Sequence, residues 1–222
     1  MKIGWYTDAV LNPPSDLFVI EPIRLSEQEK NLGNYKHCPA FSQYVNQTFV
    51  INSPFDLELS FSENKVRIVK SSLDKSEYEK NITVDIGQYP IIQMELHIGV
   101  VADAPCSIEV FGPFFSPSQK DSTYRVIPGS YDIFSWQRFL NFAFEWTDLE
   151  KNITIKRGQP LLYMRFRSKN INEKFQMLRI EMTDELLAAV KRCQSSKLFM
   201  KGKSWNLMPI NKILRFNKKF IP

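Results

Sequence analysis

PGSYDIFSWQRFLNFAFEWTDLEKNITIKRGQPLLYMRFR, residues 128–167, contains the densest alternation of apolar and polar side chains in the chain. Phe142, Phe144 and Trp146 alternate with Ala and Glu, and a second run of this kind ends at Phe166. A period of two over short runs is typical of β-strands with one buried face. This stretch therefore predicts the centre of an antiparallel β core.

The alternation is interrupted by Gly158 and Pro160, which predicts a hairpin turn between strands at 153–155 and 162–166. The turn, residues 156–161, resembles the hairpin before the last strand in cupins and in dUTPase-like β-clip proteins. That resemblance implies a structural turn and no activity, because the nucleotide-binding motifs of dUTPases are missing.

The first part of the same stretch has two interpretations. Residues 131–139 follow a Pro-Gly pair and contain Ile133 and several aromatic side chains, which favour a strand that continues into Phe142. The alternative is a short helix around Trp136. We predict the strand.

Alternating runs at 55–61, 82–86 and 92–98, with further short runs and turn residues between them, extend the strand pattern to about ten strands. The sequence therefore predicts a mainly β fold, a β-sandwich or jelly-roll-like antiparallel domain over residues 1–182. A C-terminal helix and a basic arm are expected over residues 183–222.

Two helices are predicted from their end signals. Thr183 is a good N-cap, acidic residues follow it, and basic residues close the segment Asp184–Lys191. One or two helical turns are expected at 40–46, after a proline.

The composition limits the class of protein. The chain has 222 residues, and 43% of them are hydrophobic, which is enough for a globular core. No apolar run approaches the length of a membrane span, and the N-terminus lacks the apolar stretch of a signal peptide. Three widely spaced cysteines do not indicate a disulfide framework. We expect an intracellular protein with no membrane span.

Charge is distributed unevenly along the chain. Residues 186–222 contain nine of the 29 basic residues and none of the 24 acidic residues, so the remainder, with 20 basic and 24 acidic residues, has a formal charge of −4. The basic residues of this tail are Lys191, Arg192, Lys197, Lys201, Lys203, Lys212, Arg215, Lys218 and Lys219. Apolar side chains lie between them, which suits docking on a protein surface, the interpretation we favour for 197–220, or binding to nucleic acid or another anionic surface.

Arginine and aromatic residues of the central strands form the candidate binding site. A concave patch of this composition suits a carboxylate, phosphate or sugar ligand. The alternative is that these side chains are solvated and form cross-strand ion pairs. The residues are Trp136, Arg138, Glu145, Tyr163, Arg165 and Arg167.

A metal site has little support in the sequence. Only two histidines are present, and Glu95 with His97 is the one fragment that suggests a cupin-like metal-dependent enzyme. A third ligand would have to come from His37 or a distant carboxylate. We expect no metal and no cofactor, and we assign no catalytic residue.

Three short motifs resemble a family of uncharacterised proteins in tailed phages of marine cyanobacteria and related bacteria. They are N-x-T-F-V-I-x-S-P-F-D-L at 46–57, P-G-S-Y-D-I-x-x-W-x-R at 128–138 and I-x-I-x-R-G-x-P-L-x-x-x-R-F at 153–166. The resemblance covers residues 35–180, implies no established activity, and would place the protein in the host cytoplasm.

Our leading hypothesis is a non-enzymatic β-sandwich protein that acts by binding or assembly, with a protein partner or a second copy of itself. The alternatives are the cupin-like metalloenzyme and a protein that binds nucleic acid or an anionic surface through its tail.

Overall fold

Strands dominate the computed structural model, which confirms the predicted mainly β class. The structure describes residues 1–7, 21–28, 35, 37–73, 82–115 and 123–199, with side chains up to residue 193.

Fourteen strands and three helices lie within these residues. The strands are β1 (Lys2–Thr7), β2 (Ile23–Arg24), β3 (Thr48–Asn52), β4 (Leu57–Ser62), β5 (Lys65–Ser71), β6 (Ile82–Ile86), β7 (Pro90–Ala102), β8 (Ser107–Phe111), β9 (Tyr124–Val126), β10 (Gly129–Asp132), β11 (Phe139–Trp146), β12 (Ile153–Ile155), β13 (Pro160–Arg167) and β14 (Gln176–Arg179). The helices are α1 (Leu25–Gln28), α2 (Pro39–Asn46) and α3 (Asp184–Phe199).

The described strands form three sheets. Sheet A has the order β14-β1-β7-β11-β9, with β6 also paired to β7. Sheet B has the order β10-β8-β13-β3-β2, and sheet C has the order β12-β4-β5. The pairing is antiparallel except between β1 and β14, which run parallel.

The three sheets enclose one large apolar core, which agrees with a sandwich. Ile92 and Phe142 reach it from sheet A, Ile51 and Met164 from sheet B, and Leu59 from sheet C, each with 2% exposure or less. Burying a large apolar side chain contributes about 1.5–3 kcal/mol, so the inward residues of these alternating runs provide most of the driving force.

Helices cover the outer faces of both large sheets. On sheet A, Tyr6 and Val101 pack against Leu186 and Val190 of α3. On sheet B, Val50 and Tyr163 pack against residues of α1 and α2 in a second small cluster. Central strands that are covered on both faces are apolar on both faces, which explains why β1 and β13 are almost fully buried.

Both predicted helices are present. The hydroxyl of Thr183 accepts a hydrogen bond from the amide of Leu186 at 3.2 Å, as expected of an N-cap. The helix continues beyond the predicted end at Lys191, to Phe199, because no glycine or proline stops it. Helix α2 begins at Pro39, as the sequence predicts.

The predicted hairpin around Gly158 is wrong. Strand β12 pairs with β4 in sheet C, whereas β13 pairs with β3 and β8 in sheet B, so the turn carries the chain from one sheet to another. Gly158 has a φ of +84°, a conformation that disfavours any side chain, and its amide donates to the Ser53 carbonyl. The turn is a corner of the sandwich, and its resemblance to a cupin hairpin does not hold.

The predicted continuous strand over 131–139 is also wrong, because residues 133–138 form a turn and an irregular segment between β10 and β11. Strand β10 ends at Asp132, whose carboxylate accepts hydrogen bonds from the amides of Phe134 and Ser135. An aspartate that bonds to amides two and three residues ahead stabilises a turn. The chain then crosses from sheet B to sheet A before β11 begins.

Candidate functional site

A cleft opens at the end of β13 because this strand extends further than one of its neighbours. Pairing with β3 ends at Arg165 opposite Thr48, whereas pairing with β8 continues to Arg167 opposite Ser107. The chain before Thr48 forms helix α2, so none of the described strands lies beside Phe166 and Arg167 on that side. The resulting cleft has a volume of about 390 Å³.

The cleft lies between α2 and the segment that follows β13. Helix α2 contributes Gln43 and Tyr44, and the other wall carries three basic residues at alternate positions, Arg165, Arg167 and Lys169. Cationic side chains beside polar amides suit an anionic ligand.

Arg165 is held on two sides. Its guanidinium carbon lies 4.5 Å from the centre of the Tyr44 ring, and its Nη2 donates to Oε2 of Glu109 at 2.8 Å. The side chain is only 18% exposed. A guanidinium fixed by a ring and a carboxylate loses little entropy when it binds a further group.

Arg167 is bound by the same carboxylate and remains open to solvent. Its Nε lies 2.7 Å from Oε1 of Glu109, and 57% of the side chain is exposed. Glu109 therefore uses one oxygen for each arginine. The two arginines and Glu109 together carry a net charge of +1.

The wall formed by 168–172 is ordered by its own side chains. The Ser168 hydroxyl donates to the Asn170 carbonyl, and the Asn170 side chain accepts from the amide of Asn172. Across the cleft, Gln43 and Gln47 both donate to the Ile171 carbonyl, at 3.1 and 3.4 Å. These bonds join the helix to the segment, so the cleft is preformed.

Burial keeps the Tyr44 hydroxyl and the Cys106 thiol near the cleft in their neutral forms at pH 7. Burial raises the pKa of the Tyr44 hydroxyl, and the charge of Arg165 lowers it less. Burial also raises the pKa of the Cys106 thiol to about 12, against a smaller effect of a hydrogen bond from the Arg167 backbone. A protonated thiol is a poor nucleophile. The charged side chains of the cleft offer ion pairing and hydrogen bonding.

The structure does not bring the six predicted patch residues together. Arg165 and Arg167 line the cleft, but Tyr163 is fully buried beneath α2 against Phe111. Glu145 lies in sheet A, where it forms an ion pair with Arg125 on the neighbouring strand.

Trp136 and Arg138 lie at the crossover between sheets B and A. The Arg138 guanidinium carbon is 5.2 Å from the Trp136 ring and 5.7 Å from the Tyr131 ring. This cluster is separate from the cleft. The cross-strand ion pairs that were the alternative interpretation are present at Glu145 and at Glu109.

Four residues in or beside the cleft were not predicted from the sequence: Tyr44, Glu109, Gln43 and Lys169. Extending the alternation of Arg165 and Arg167 by two residues would have identified Lys169. Glu109 could have been identified as the polar residue between two apolar residues of a short strand. No local signal indicates that β8 and α2 flank β13, because these neighbours are more than 50 residues away in sequence.

Glu95 and His97 do not form a metal centre within the described residues, where no group of three or more His, Cys, Asp or Glu side chains could hold an ion. His97 has a φ of +55° at an irregularity in the pairing of β7 with β11, and its ring lies 6.0 Å from that of Phe139.

Most of the basic tail lies outside the described residues. Lys191 and Arg192 are exposed on α3, and the side chain of Lys197 is not described. The other basic residues of the tail lie beyond residue 199, outside the described part of the chain: Lys201, Lys203, Lys212, Arg215, Lys218 and Lys219. The predicted docking of residues 197–220 also lies outside it, because it depends on side chains past residue 193. Among the described residues, no helix is both long and apolar enough to cross a bilayer.

No model of a known protein family matches the chain, and no curated protein matches it significantly. The resemblance to phage proteins therefore stays a prediction.

Proposed function

We propose that this chain is a non-enzymatic β-sandwich protein that acts by binding, and that its binding site is the cleft between α2 and the end of β13. The ligand carries a carboxylate or a phosphate. One observation supports this proposal most strongly. At the wall of a preformed cleft, Arg165 and Arg167 both form ion pairs with Glu109, and Arg165 also stacks on the Tyr44 ring.

The charge balance of the cleft supports this proposal. Glu109 offsets one of the two arginine charges, and Lys169 has no ion pair with any described residue. Arg167 is the exposed member of the pair, and Arg165 is the partly buried one. An incoming anion would therefore bind to Arg167 and Lys169, while Arg165 keeps the wall in place.

Anion binding is tested by calorimetric titration of the protein with succinate and with inorganic phosphate at low salt. Arg167→Ala should weaken binding roughly tenfold, the effect of losing one charge-assisted hydrogen-bonding group. The matched control is Arg125→Ala, which removes the same charge from an exposed ion pair on sheet A. Equal effects of the two variants, or no binding of either anion, would contradict the proposal.

A further inference from the structure

Strand β6 lies at an edge of sheet A, and its second side is exposed. It pairs with β7 from Ile82 opposite Met94 to Ile86 opposite Pro90, and no other described strand pairs with it. All of its residues except Ile82 are exposed. The outer backbone groups of such a strand form a row that can pair with another extended chain.

Strand β6 lacks the features that protect the other edge strands. Strand β5, an edge of sheet C, carries Lys65, Arg67 and Lys70, and charged side chains oppose pairing with another chain. The edge strands β2, β9, β10, β12 and β14 have only two to four residues. Strand β6 has five residues, no basic residue, no proline and no shift in its register with β7. Among the described strands, it is the edge best suited to pairing.

The apolar side chains of β6 form a row that leaves the core. Ile82, Val84 and Ile86 are alternate residues and therefore share one face of the strand. Ile82 packs against the main core, whereas Val84 is 36% exposed and Ile86 is 49% exposed. A further strand beside β6 would bury the exposed end of this row.

The sequence of β6 is complementary to itself. In an antiparallel pair with a twofold axis at Val84, this valine lies opposite its own counterpart, and Ile82 lies opposite Ile86. Thr83 lies opposite Asp85, so the hydroxyl can donate to the carboxylate and the two aspartates are not directly opposed. Apolar residues therefore meet apolar residues on one face, and no like charges meet on the other.

We propose that β6 pairs with β6 of a second copy of this chain, in an antiparallel twofold arrangement that continues sheet A across a dimer. No residue of β6 lines the cleft, so this inference is independent of the proposed function. A single ladder of five residues is smaller than a standard protein interface, and we expect a dissociation constant on the order of 10 µM.

Disulfide cross-linking tests the register of the pair. Cys38→Ser first removes the exposed thiol. In that background, Val84→Cys places two cysteines directly opposite each other, with Cβ atoms about 4.5–5.5 Å apart, close to disulfide geometry. Ile86→Cys, the matched control on the same strand face, places its two cysteines four residues out of register, about 13 Å apart. Mild oxidation should give a covalent dimer of Val84→Cys and not of Ile86→Cys.

Sedimentation equilibrium tests the dimer without cross-linking. The mass of the unmodified protein should rise towards that of two chains as its concentration increases, and Val84→Lys should keep it at that of one chain. Val69→Lys, the matched control at an exposed valine of β5, should still dimerise. Equal cross-linking of the two cysteine variants would overturn the proposed register. A single-chain mass of the unmodified protein up to roughly 500 µM, well above the expected dissociation constant, would overturn the dimer. Dimerisation of Val84→Lys would overturn β6 as its interface.

Discussion

The guanidinium of Arg165 lies 4.5 Å from the centre of the Tyr44 ring, and this contact joins strand β13 to helix α2 across one end of the cleft. The same guanidinium donates to Glu109 on β8. One side chain therefore links three elements that are distant in sequence. We expect its removal to affect stability more than the removal of an exposed arginine.

Arg165→Ala should lower the free energy of unfolding by about 1–3 kcal/mol, because it removes a partly buried cation–π contact and a charged hydrogen bond. Urea denaturation measures the change. Tyr44→Phe keeps the ring and should change stability by less than about 0.5 kcal/mol. A change of similar size in Arg125→Ala would mean that Arg165 has no special structural role.

A second prediction concerns Glu109. Glu109→Gln removes the carboxylate that occupies both arginines, so succinate should bind roughly three- to tenfold more tightly. The free energy of unfolding should fall at the same time, because Arg165 and Arg167 lose the negative charge with which both form ion pairs. Calorimetric titration measures the first effect and urea denaturation the second. Glu145→Gln, which frees Arg125 on sheet A, is the control, and weaker succinate binding by Glu109→Gln would be inconsistent with competition.

A third prediction tests the packing of sheet A. A Cβ atom at Gly99 would lie 2.2 Å from Cζ of Tyr6, whose ring is fully buried and cannot move aside. Gly99→Ala should therefore cost about 3 kcal/mol, at the upper end of overpacking effects. At Gly129 the nearest atom to an added Cβ is at 3.5 Å, so Gly129→Ala is the control with a normal contact. Thermal unfolding of the two variants should differ clearly, and equal melting temperatures would contradict the packing of Tyr6.

The cysteines provide a fourth prediction. Cys38 is exposed, whereas Cys106 and Cys193 are buried, and burial raises the pKa of both buried thiols. At pH 8, Ellman's reagent should modify one thiol rapidly in the folded protein, and Cys38→Ser should abolish this phase. Rapid reaction of a second thiol would show that the core is open at one of the buried sites.

The pH dependence at Cys106 has a definite sign. The thiol has a folded-state pKa of about 12 and an ordinary value of 9.0. Above pH 9 the unfolded chain therefore loses a proton that the folded protein retains. The contribution of this thiol to the free energy of unfolding is fully present below pH 9 and is lost as the pH rises from 9 towards 12. In urea denaturation across this range, Cys106→Ala should reduce the alkaline loss of stability relative to the unmodified protein.

Period-two alternation identified the strands but not their partners. The runs around Phe142 and Met164 are strands as predicted, since burying one face of an alternating segment requires an extended chain. Strand β12 pairs with Leu57–Leu59, nearly one hundred residues earlier, and the short sequence between β12 and β13 gives no sign of this. Pairing over such distances depends on how the whole core closes, so the corner at Gly158 was interpreted as a hairpin.

The candidate site was predictable only in part, for the same reason. Alternation placed Arg165 and Arg167 on one strand face, and both line the cleft. The cleft itself depends on where β3 begins relative to β13, which is a matter of register. Glu145 followed the same local rule but lies in the other sheet, beside Arg125.

A nuclear magnetic resonance titration of the ¹⁵N-labelled protein with succinate locates anion binding residue by residue. If the anion binds in the cleft, four groups of signals should shift together and saturate with one dissociation constant: the side-chain Nε–H of Arg167, the side-chain amides of Gln43 and Gln47, and the backbone amide of Ile171. The Nε–H signal of Arg125 should remain unchanged. Shifts confined to Arg125, to the Arg138 cluster or to α3, with the cleft signals unaffected, would contradict binding in the cleft.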